Sequence, residues 1–242
     1  MTYCLGIRLD AGLVLISDTR THAGVDNVAR YRKLFAWERP GEAAVGICTA
    51  GNLSLTQGVV NVIEEGVQGG GETVPSILDA PTMFAVAELV GEALRRESAK
   101  HGAALATAGV AASASILVGG EVADGRCRLF QVYEAGNVIE AEADTPFFQI
   151  GELKYGKPIL DRVVRASTPI PTALKAGLLS MESTTRSNLS VGLPLDVAVI
   201  PAQARRFTVR RRVEETDPGW IALKQAWSRG IVELLESMPE VD

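Results

Sequence analysis

The second residue, Thr2, has the side chain with the clearest chemical potential in this sequence. If Met1 is removed, the hydroxyl of Thr2 can attack an amide carbonyl while its own α-amine accepts the proton, so one residue supplies both nucleophile and base. A free α-amine has a pKa of about 8, which leaves a useful neutral fraction near neutral pH. A small side chain at position 2 also permits removal of the initiator methionine. A threonine at this position is far more often merely the first residue of an ordinary strand, so the neighbouring residues must decide.

Other catalytic chemistries lack their usual residues. The sequence contains only two histidines and neither an HExxH motif nor paired cysteines, so a metal site is not indicated. It has no GxGxxG or GxxxxGK[ST] loop for a nucleotide and no GxSxG elbow for a serine hydrolase. We therefore predict no metal and no cofactor, and a nucleophile that needs no histidine.

Two charged residues are candidates to support Thr2. A turn at residues 10–12 would fold the chain back on itself and bring Asp18 close to Thr2. Lys33 lies in the next predicted strand, where its ammonium would lower the pKa of both the attacking hydroxyl and the α-amine. Each residue taken singly is more often a surface residue. The combination indicates a nucleophilic site held together by an ion pair.

A candidate oxyanion site follows the predicted strand at residues 43–48. The segment Thr49-Ala50-Gly51-Asn52 combines a strand end with a helix start, and such a turn presents free N–H groups to an anion. Ala50 and Gly51 are the candidates there. The alternative is an ordinary strand–helix junction with Asn52 as the helix cap.

The hydrophobic pattern predicts the elements that must position these residues. Apolar runs predict strands at residues 2–9, 13–17, 31–37, 43–48, 113–118, 129–133, 147–150, 195–200 and 207–213. Helical spacing predicts helices from Asn52, from Thr82, from Pro158 and after a cap at Thr172, with a loop at the glycine tract 69–71. Because blocks of strands alternate with pairs of helices, we predict an α+β fold with antiparallel layers. We expect one domain over residues 1–242, with its core at about 1–213.

The end of the chain predicts a helical extension at about residues 217–238. Asp217-Pro218 is an N-cap followed by proline at the first helical position. Apolar residues then recur at steps of mainly three and four and form one stripe: Trp220, Leu223, Trp227, Ile231, Leu234, Leu235 and Met238. This helix needs a partner surface.

Composition narrows the range of partners. A net charge of −5 argues against a nucleic-acid partner. The one basic run is interpreted as a solvated or intersubunit edge: Arg205, Arg206, Arg210, Arg211 and Arg212. Three cysteines without CxxC spacing are typical of reduced thiols. We see neither a signal peptide nor a membrane-spanning run, so we expect a cytoplasmic protein with no membrane partner.

Several segments resemble the proteasome β-subunits and bacterial HslV, and most closely the bacterial proteasome-related Anbu proteins. They are residues 2–8 (TYCLGIR), 17–20 (SDTR), 31–33 (YRK), 46–52 (GICTAGN), 151–158 (GELKYGKP) and 183–192 (STTRSNLSVG). The resemblance implies a four-layer αββα sandwich with Thr2 as nucleophile, Asp18 and Lys33 as its supporting pair, and Gly51 near the oxyanion hole. It also implies a homo-oligomer, as a ring or a spiral, in which the tail helix packs against neighbouring subunits. Neither a cofactor nor an ATPase partner follows from it.

The sequence departs from the β-subunit pattern in two places. A Gly-Ser-Gly stretch is replaced by Gly151-Glu152-Leu153, and an Asp-x-x-Ser motif by residues 187–190 (SNLS). The hydrogen-bond network around the α-amine must therefore differ, and Ser187, Asn188 and Ser190 are the candidates to rebuild it. We predict a threonine peptidase acting on peptides or proteins. The alternatives are an amidase for a small non-peptide amide, and an assembly module with weak or no catalysis.

Overall fold

Two five-stranded antiparallel sheets form the centre of the structure, a computed structural model that describes residues 1–22, 28–69 and 75–240. The first sheet has the order β10-β1-β2-β11-β12, the second the order β5-β6-β7-β8-β9, and β3 and β4 pair separately. The strands are β1 (Tyr3–Leu9), β2 (Gly12–Asp18), β3 (Arg20–His22), β4 (Val28–Arg30), β5 (Leu34–Arg39), β6 (Ala43–Gly51), β7 (Ala114–Glu121), β8 (Arg128–Val132), β9 (Val138–Glu140), β10 (Phe147–Gly151), β11 (Leu195–Pro201) and β12 (Val209–Val213). The helices are α1 (Leu53–Val67), α2 (Met83–Thr107), α3 (Lys157–Val163), α4 (Ile170–Ser187) and α5 (Pro218–Glu236).

The central strands are largely apolar because both of their faces are buried. In β1, Tyr3, Leu5 and Ile7 belong to a core shared with α3 and α4, whereas Cys4 belongs to the core between the two sheets. Successive side chains of a strand point to opposite faces, so alternate residues serve the two cores. Near-continuous runs of Leu, Ile and Val are the sequence signature of this arrangement.

The helices cover the outer faces of the two sheets. A core on one side joins the second sheet to α1 and α2. A core on the other side joins the first sheet to α3, α4 and the start of α5. A third core lies between the sheets. The predicted α+β class and four-layer αββα sandwich are therefore confirmed.

The β1–β2 hairpin is the element that brings Asp18 back to the start of the chain. Its turn falls where the sequence predicted it, with Leu9 opposite Gly12 and Cys4 opposite Ser17. Gly12 has a φ of 142°, and a Cβ there would lie 2.3 Å from the carbonyl oxygen of Ile200. Only glycine fits this close approach of two strands.

Two element boundaries differ from the sequence prediction, and three short strands are additional to it. The strand predicted at residues 31–37 begins at Leu34, and β3, β4 and β9 were not predicted. Helix α4 begins at Ile170 after Pro169, so Thr172 lies in its first turn instead of capping it. Proline is tolerated there because the first N–H groups of a helix have no intrahelical partner. Apart from Gly69, the loop predicted at residues 69–71 lies outside the described residues.

Two predicted helix caps are present in the structure. The side chain of Asn52 accepts hydrogen bonds from the N–H groups of Ser54 and Leu55 at 3.0 and 3.3 Å, and so opens α1. Asp217 accepts from Gly219 and Trp220 at 2.9 and 3.3 Å, and so opens α5. Each cap satisfies N–H groups that would otherwise lack a partner.

Helix α5 packs on the rest of the fold near its start, where Trp220 and Leu223 contact the core, and is exposed towards its end. Trp220 is 2% exposed within the core of the first sheet, whereas Leu234 and Leu235 are 57% and 63% exposed. The neighbouring strand β12 forms a sheet edge and carries three of the arginines of the basic run. Arg212 makes a bidentate ion pair with Asp196, which agrees with the interpretation of this run as a solvated or intersubunit edge. In the described part of the chain, no helix combines the length and apolar character that a membrane span requires.

Candidate active site

The buried carboxylate of Asp18 lies at the centre of the candidate site. Asp18 ends β2 and has no exposed surface. Its Oδ1 accepts hydrogen bonds from the Tyr3 N–H at 3.0 Å and from Lys33 Nζ at 2.8 Å. Its Oδ2 accepts from the N–H groups of Arg20 at 3.2 Å and Gly192 at 3.3 Å. Because these donors come from four places in the chain, Asp18 ties β1 and β3 to the segments that precede β5 and β11.

The ammonium of Lys33 is the cationic partner of Asp18. Lys33 is 4% exposed, and its Nζ also donates to the carbonyl oxygen of Arg20 at 2.5 Å. Its backbone is held because the Thr49 N–H donates to the Lys33 carbonyl oxygen at 2.9 Å. The sequence predicted that Lys33 lies within a strand, but in the structure it immediately precedes β5. Its side chain nevertheless reaches Asp18.

Burial and the Lys33 charge shape the electrostatics of the site. Burial raises the pKa of the Asp18 carboxyl, while the ammonium of Lys33 and the N–H donors oppose that rise. Burial also lowers the pKa of the amino-terminal α-amine of Met1, and Lys33 lowers it further, against the opposing influence of Asp18. A lowered pKa gives the amine a larger neutral fraction, as a general base requires.

A cavity of about 290 Å³ opens beside Thr2. Lys33, Thr49, Ala50 and Gly51 are among the residues that line it. The Thr2 carbonyl oxygen accepts a hydrogen bond from the Glu152 N–H at 2.7 Å, which fixes the start of the chain against the end of β10. The structure therefore brings Thr2 and Lys33 to one cavity, with Asp18 bonded to the lysine behind it.

The end of β6 determines which N–H groups face the cavity. The Thr49 N–H points to the β5 side and donates to the carbonyl oxygen of Lys33, just before that strand. The Asn52 N–H points to the β7 side and donates to the carbonyl oxygen of Ser113, just before β7, at 2.8 Å. In an antiparallel strand the N–H groups of alternate residues point to the same side. The Gly51 N–H therefore points to the β5 side, past the end of that strand, while the Ala50 N–H faces β7. This alternation favours Gly51 over Ala50 as an oxyanion donor.

Glycine is also the residue type that the backbone at position 51 requires. Gly51 has a φ of 109°, and a Cβ there would lie 2.3 Å from the carbonyl oxygen of Ser113. The close approach of β6 and β7 at this point thus requires glycine.

Comparison with known proteins identifies the family. No protein-family model and no curated protein matches the chain. Among solved structures, the chain is 42% identical to the Anbu (Gly-1) mutant from Hyphomicrobium sp. strain MC1, with a TM-score of 0.91 and 100% of both chains covered. It is 38% identical to Anbu (ancestral beta-subunit) from Yersinia bercovieri, with a TM-score of 0.92 and 99% of both chains covered. The chain belongs to the Anbu family.

A third Anbu structure is of a helical assembly. It is the Anbu complex from Pseudomonas aeruginosa, which is 41% identical, with a TM-score of 0.91, 99% of this chain covered and 98% of the other. The resemblance to Anbu that the sequence indicated is thus confirmed. The fold is proteasome-related and of the N-terminal-nucleophile hydrolase type.

Ser187, Asn188 and Ser190 lie around the loop that follows α4 in this Anbu chain. Ser187 ends the helix and is exposed, and Asn188 accepts a hydrogen bond from the Ser190 N–H at 3.0 Å. Across residues 1–22, 28–69 and 75–240, no hydrogen bond joins any of the three to Met1 or Thr2. These three residues therefore lie in or beside the loop that is hydrogen-bonded to Asp18 through Gly192. Among the described residues they make no hydrogen bond to the α-amine.

Three further contributors to the Anbu site were not predicted. The Gly192 N–H and the Arg20 carbonyl oxygen hold Asp18 and Lys33, and the Glu152 N–H holds the Thr2 carbonyl oxygen. All three are backbone groups, which nearly every residue carries, so composition gives no signal for them. The position of Glu152 did carry a signal, since this residue stands where β-subunits have a serine.

Tyr3 anchors the strand that carries Thr2. Its hydroxyl lies 2.6 Å from the Ser180 hydroxyl and accepts a hydrogen bond from Gln149 at 2.6 Å. Burial raises the pKa of Tyr3 to about 12, so the phenol stays neutral at physiological pH. A neutral hydroxyl with two hydrogen-bond partners gives the backbone beside Thr2 a fixed position.

Proposed function

We propose that this chain is a proteasome-type threonine peptidase in which Thr2, once Met1 is removed, attacks peptide bonds. The observation that carries the proposal is a juxtaposition. A buried ion pair, with Lys33 Nζ 2.8 Å from Asp18 Oδ1, lies behind the cavity that Thr2 also lines. A buried ion pair is a costly arrangement for stability alone, and perturbed ionisable groups beside a cavity favour a functional site.

In the proposed reaction the α-amine of Thr2 takes the proton of the Thr2 hydroxyl as that oxygen attacks the amide carbonyl. The Gly51 N–H would donate to the oxyanion that forms. The protonated amine then gives its proton to the departing nitrogen, the C–N bond breaks, and an ester of Thr2 remains. Water, deprotonated by the same amine, hydrolyses the ester and restores the free hydroxyl.

Removal of Met1 would strengthen the electrostatic support. The α-amine of Met1 already has a lowered pKa through burial and the charge of Lys33. Transferring the amine to Thr2 would place it one residue nearer to Tyr3, whose N–H is bonded to Asp18. Lys33 would hold the amine neutral, and Asp18 would hold Lys33 in position.

A second candidate, an amidase for small non-peptide amides, is favoured by the size of the cavity. Its volume of about 290 Å³ lies near the lower end of the range for small-molecule sites. The same nucleophile would act in both cases. A panel that compares peptides with small acyl amides separates the two, because a peptidase gains rate from residues on both sides of the scissile bond.

We also propose that the chain acts as a homo-oligomer. The support is the exposed apolar stripe of α5 and an apolar groove of about 470 Å³ between α3, α4 and α5. Exposed apolar surface of this kind marks interaction sites. The Pseudomonas aeruginosa Anbu forms a helical assembly, and a related arrangement would enclose the proposed sites.

We propose one domain with α5 as its extension, working in the cytoplasm, where Cys4, Cys48 and Cys127 would stay reduced.

Intact-mass measurement together with covalent labelling tests the proposed peptidase. We expect the native protein to lack Met1 and an electrophilic threonine-protease inhibitor to modify Thr2. Thr2→Ala should abolish both labelling and hydrolysis, whereas the matched Thr2→Ser variant, which keeps a hydroxyl, should retain them. Retention of Met1, or labelling that persists in Thr2→Ala, would contradict the proposal, since either result removes the free amino-terminal nucleophile from the reaction.

A further inference from the structure

Glu152 is a buried carboxylate that the proposed reaction does not use. It is 8% exposed and belongs to the turn after β10. Its Oε1 accepts hydrogen bonds from the N–H groups of Leu153 and Lys154, both at 2.9 Å. Its Oε2 accepts from the Asn188 side-chain amide at 2.8 Å. Burial acts to raise the pKa of this carboxyl, but the donors from Lys154, Asn188 and Leu153 outweigh it, and the net pKa is lowered. Glu152 is therefore an ionised group whose oxygens are bonded within its own turn and to the loop after α4.

Asn188 connects this carboxylate to the loop that contacts Asp18. Its amide nitrogen donates to Glu152, and its amide oxygen accepts from the Ser190 N–H at 3.0 Å. Its carbonyl oxygen accepts from the Val191 N–H at 3.1 Å. The next residue, Gly192, donates to Asp18 Oδ2 at 3.3 Å. The segment 188–192 is thus hydrogen-bonded to Glu152 at its first residue and to Asp18 at its last.

The backbone of Glu152 reaches the opposite side of the same site. Its N–H donates to the Thr2 carbonyl oxygen at 2.7 Å. The preceding Gly151 has a φ of 85°, and a Cβ there would lie 2.1 Å from that oxygen. The turn that is stabilised by hydrogen bonds to the Glu152 carboxylate is therefore the same turn that is hydrogen-bonded to Thr2.

We propose that Glu152 is a positioning residue that sets the distance between Thr2 and Asp18, through its backbone bond to Thr2 and its side-chain bond to Asn188. The inference rests on the proposed function for its catalytic consequence, but its structural claim stands apart from it. Glu152 itself does not touch the cavity, so it acts on the reaction only through the residues it holds.

The hydrogen bond between Glu152 and Asn188 can be broken by a single substitution at either residue. A double variant can restore it with donor and acceptor exchanged, so that the carboxylate stands at position 188. In Glu152→Gln the new amide would face the amide nitrogen of Asn188, so that two donors oppose each other. In Asn188→Asp two carboxylates would face each other. In the double variant Glu152→Gln/Asn188→Asp, the amide at position 152 would donate to the carboxylate at position 188, which still accepts from the Ser190 N–H. The double variant has the same net charge as the native protein, and Glu134→Gln makes the same chemical change at an exposed glutamate as a control.

Two measurements on the full-length protein test the inference. Hydrogen–deuterium exchange by mass spectrometry over residues 188–193 should be faster in both single variants and return to the native rate in the double variant. The inactivation rate constant with the electrophilic inhibitor should fall about tenfold or more in each single variant and recover to within about threefold in the double, with the inhibitor's binding constant unchanged. Thermal unfolding of each variant checks that the fold is kept.

The outcomes distinguish this inference from the proposed function. If the native protein is not labelled at all, the proposed function fails and the exchange measurements alone decide the role of Glu152. If labelling depends on Thr2 but Glu152→Gln matches the native protein and Glu134→Gln, the positioning role is overturned while the proposed function stands. A double variant no better than the slower single variant would also overturn it.

Discussion

At the scale of single residues, the ion pair of Asp18 and Lys33 is the most consequential contact. Asp18 is fully buried, so removal of the lysine ammonium leaves a carboxylate with three backbone N–H donors and no opposite charge. We expect Lys33→Met to lower the free energy of unfolding by about 3–5 kcal/mol, the usual cost of breaking a buried pair. The control is Lys157→Met, which breaks an exposed pair with Asp161 and should cost less than about 1 kcal/mol.

Urea unfolding of both lysine variants at one protein concentration provides the comparison. Equal losses for the two variants would show that the buried pair contributes no more than a surface pair. A large loss for Lys33→Met that is reversed by adding Asp18→Asn would strengthen the assignment, because the second change removes the unpaired charge.

The α-amine determines the expected pH dependence of labelling. Burial and the Lys33 charge lower the pKa of the Met1 α-amine below its ordinary value of about 8, and we expect the pKa of the Thr2 amine that replaces it to be lowered in the same direction. The neutral, proton-accepting form therefore appears at lower pH than in an unperturbed amine, and the labelling rate should rise with pH through a midpoint below 8. The measurement is the inactivation rate constant as a function of pH at constant ionic strength. A midpoint above 8 would mean that the native site does not disfavour the charged amine.

At the scale of elements, the start of α5 depends on the Asp217 cap. This side chain satisfies two N–H groups of the first turn and also pairs with Arg211 at 2.9 Å. We expect Asp217→Ala to destabilise the folded state and to expose Trp220, which is otherwise buried, because the first-turn N–H groups lose their acceptor. Asp217→Asn keeps the cap and serves as the control. Tryptophan fluorescence and thermal unfolding together report the result, and identical behaviour of the two variants would argue against the cap.

At the scale of the whole molecule, the exposed stripe of α5 is predicted to hold subunits together. Leu234 and Leu235 are both more than half exposed, so charging them disturbs little within one chain. The double variant Leu234→Glu/Leu235→Glu should weaken self-association by about tenfold or more while the circular dichroism spectrum stays native. Val110→Glu, at an exposed site just after α2, is the control. Sedimentation velocity gives the mass distribution, and an unchanged distribution would remove α5 from the proposed interface.

The sequence was most informative where a signal is local. The turn at residues 10–12, the caps at Asn52 and Asp217, and the apolar runs of the central strands all lie within a few residues, and each is present in the structure. The start of β5 was predicted too early, because Tyr31 has high strand propensity while pairing with β6 begins only at Leu34. The cap of α4 was misplaced because Pro169 can precede a helix without a side-chain cap.

The sequence by itself determined the chemical groups of the candidate site: a threonine at position 2, a carboxylate at 18, an ammonium at 33 and a glycine at 51. Only the tertiary structure decided which groups hold them. Asp18 is bonded by Gly192, 174 residues away, and Glu152 is bonded by Asn188, 36 residues away. The Gly192 donor is a backbone N–H, which nearly every residue carries, so the residue type does not reveal it. The hydrogen bond between Glu152 and Asn188 depends on two loops that the packing of α4 on the first sheet brings together. Residue type determines what a group can do, whereas distance and burial, which arise from packing, determine whether it does so.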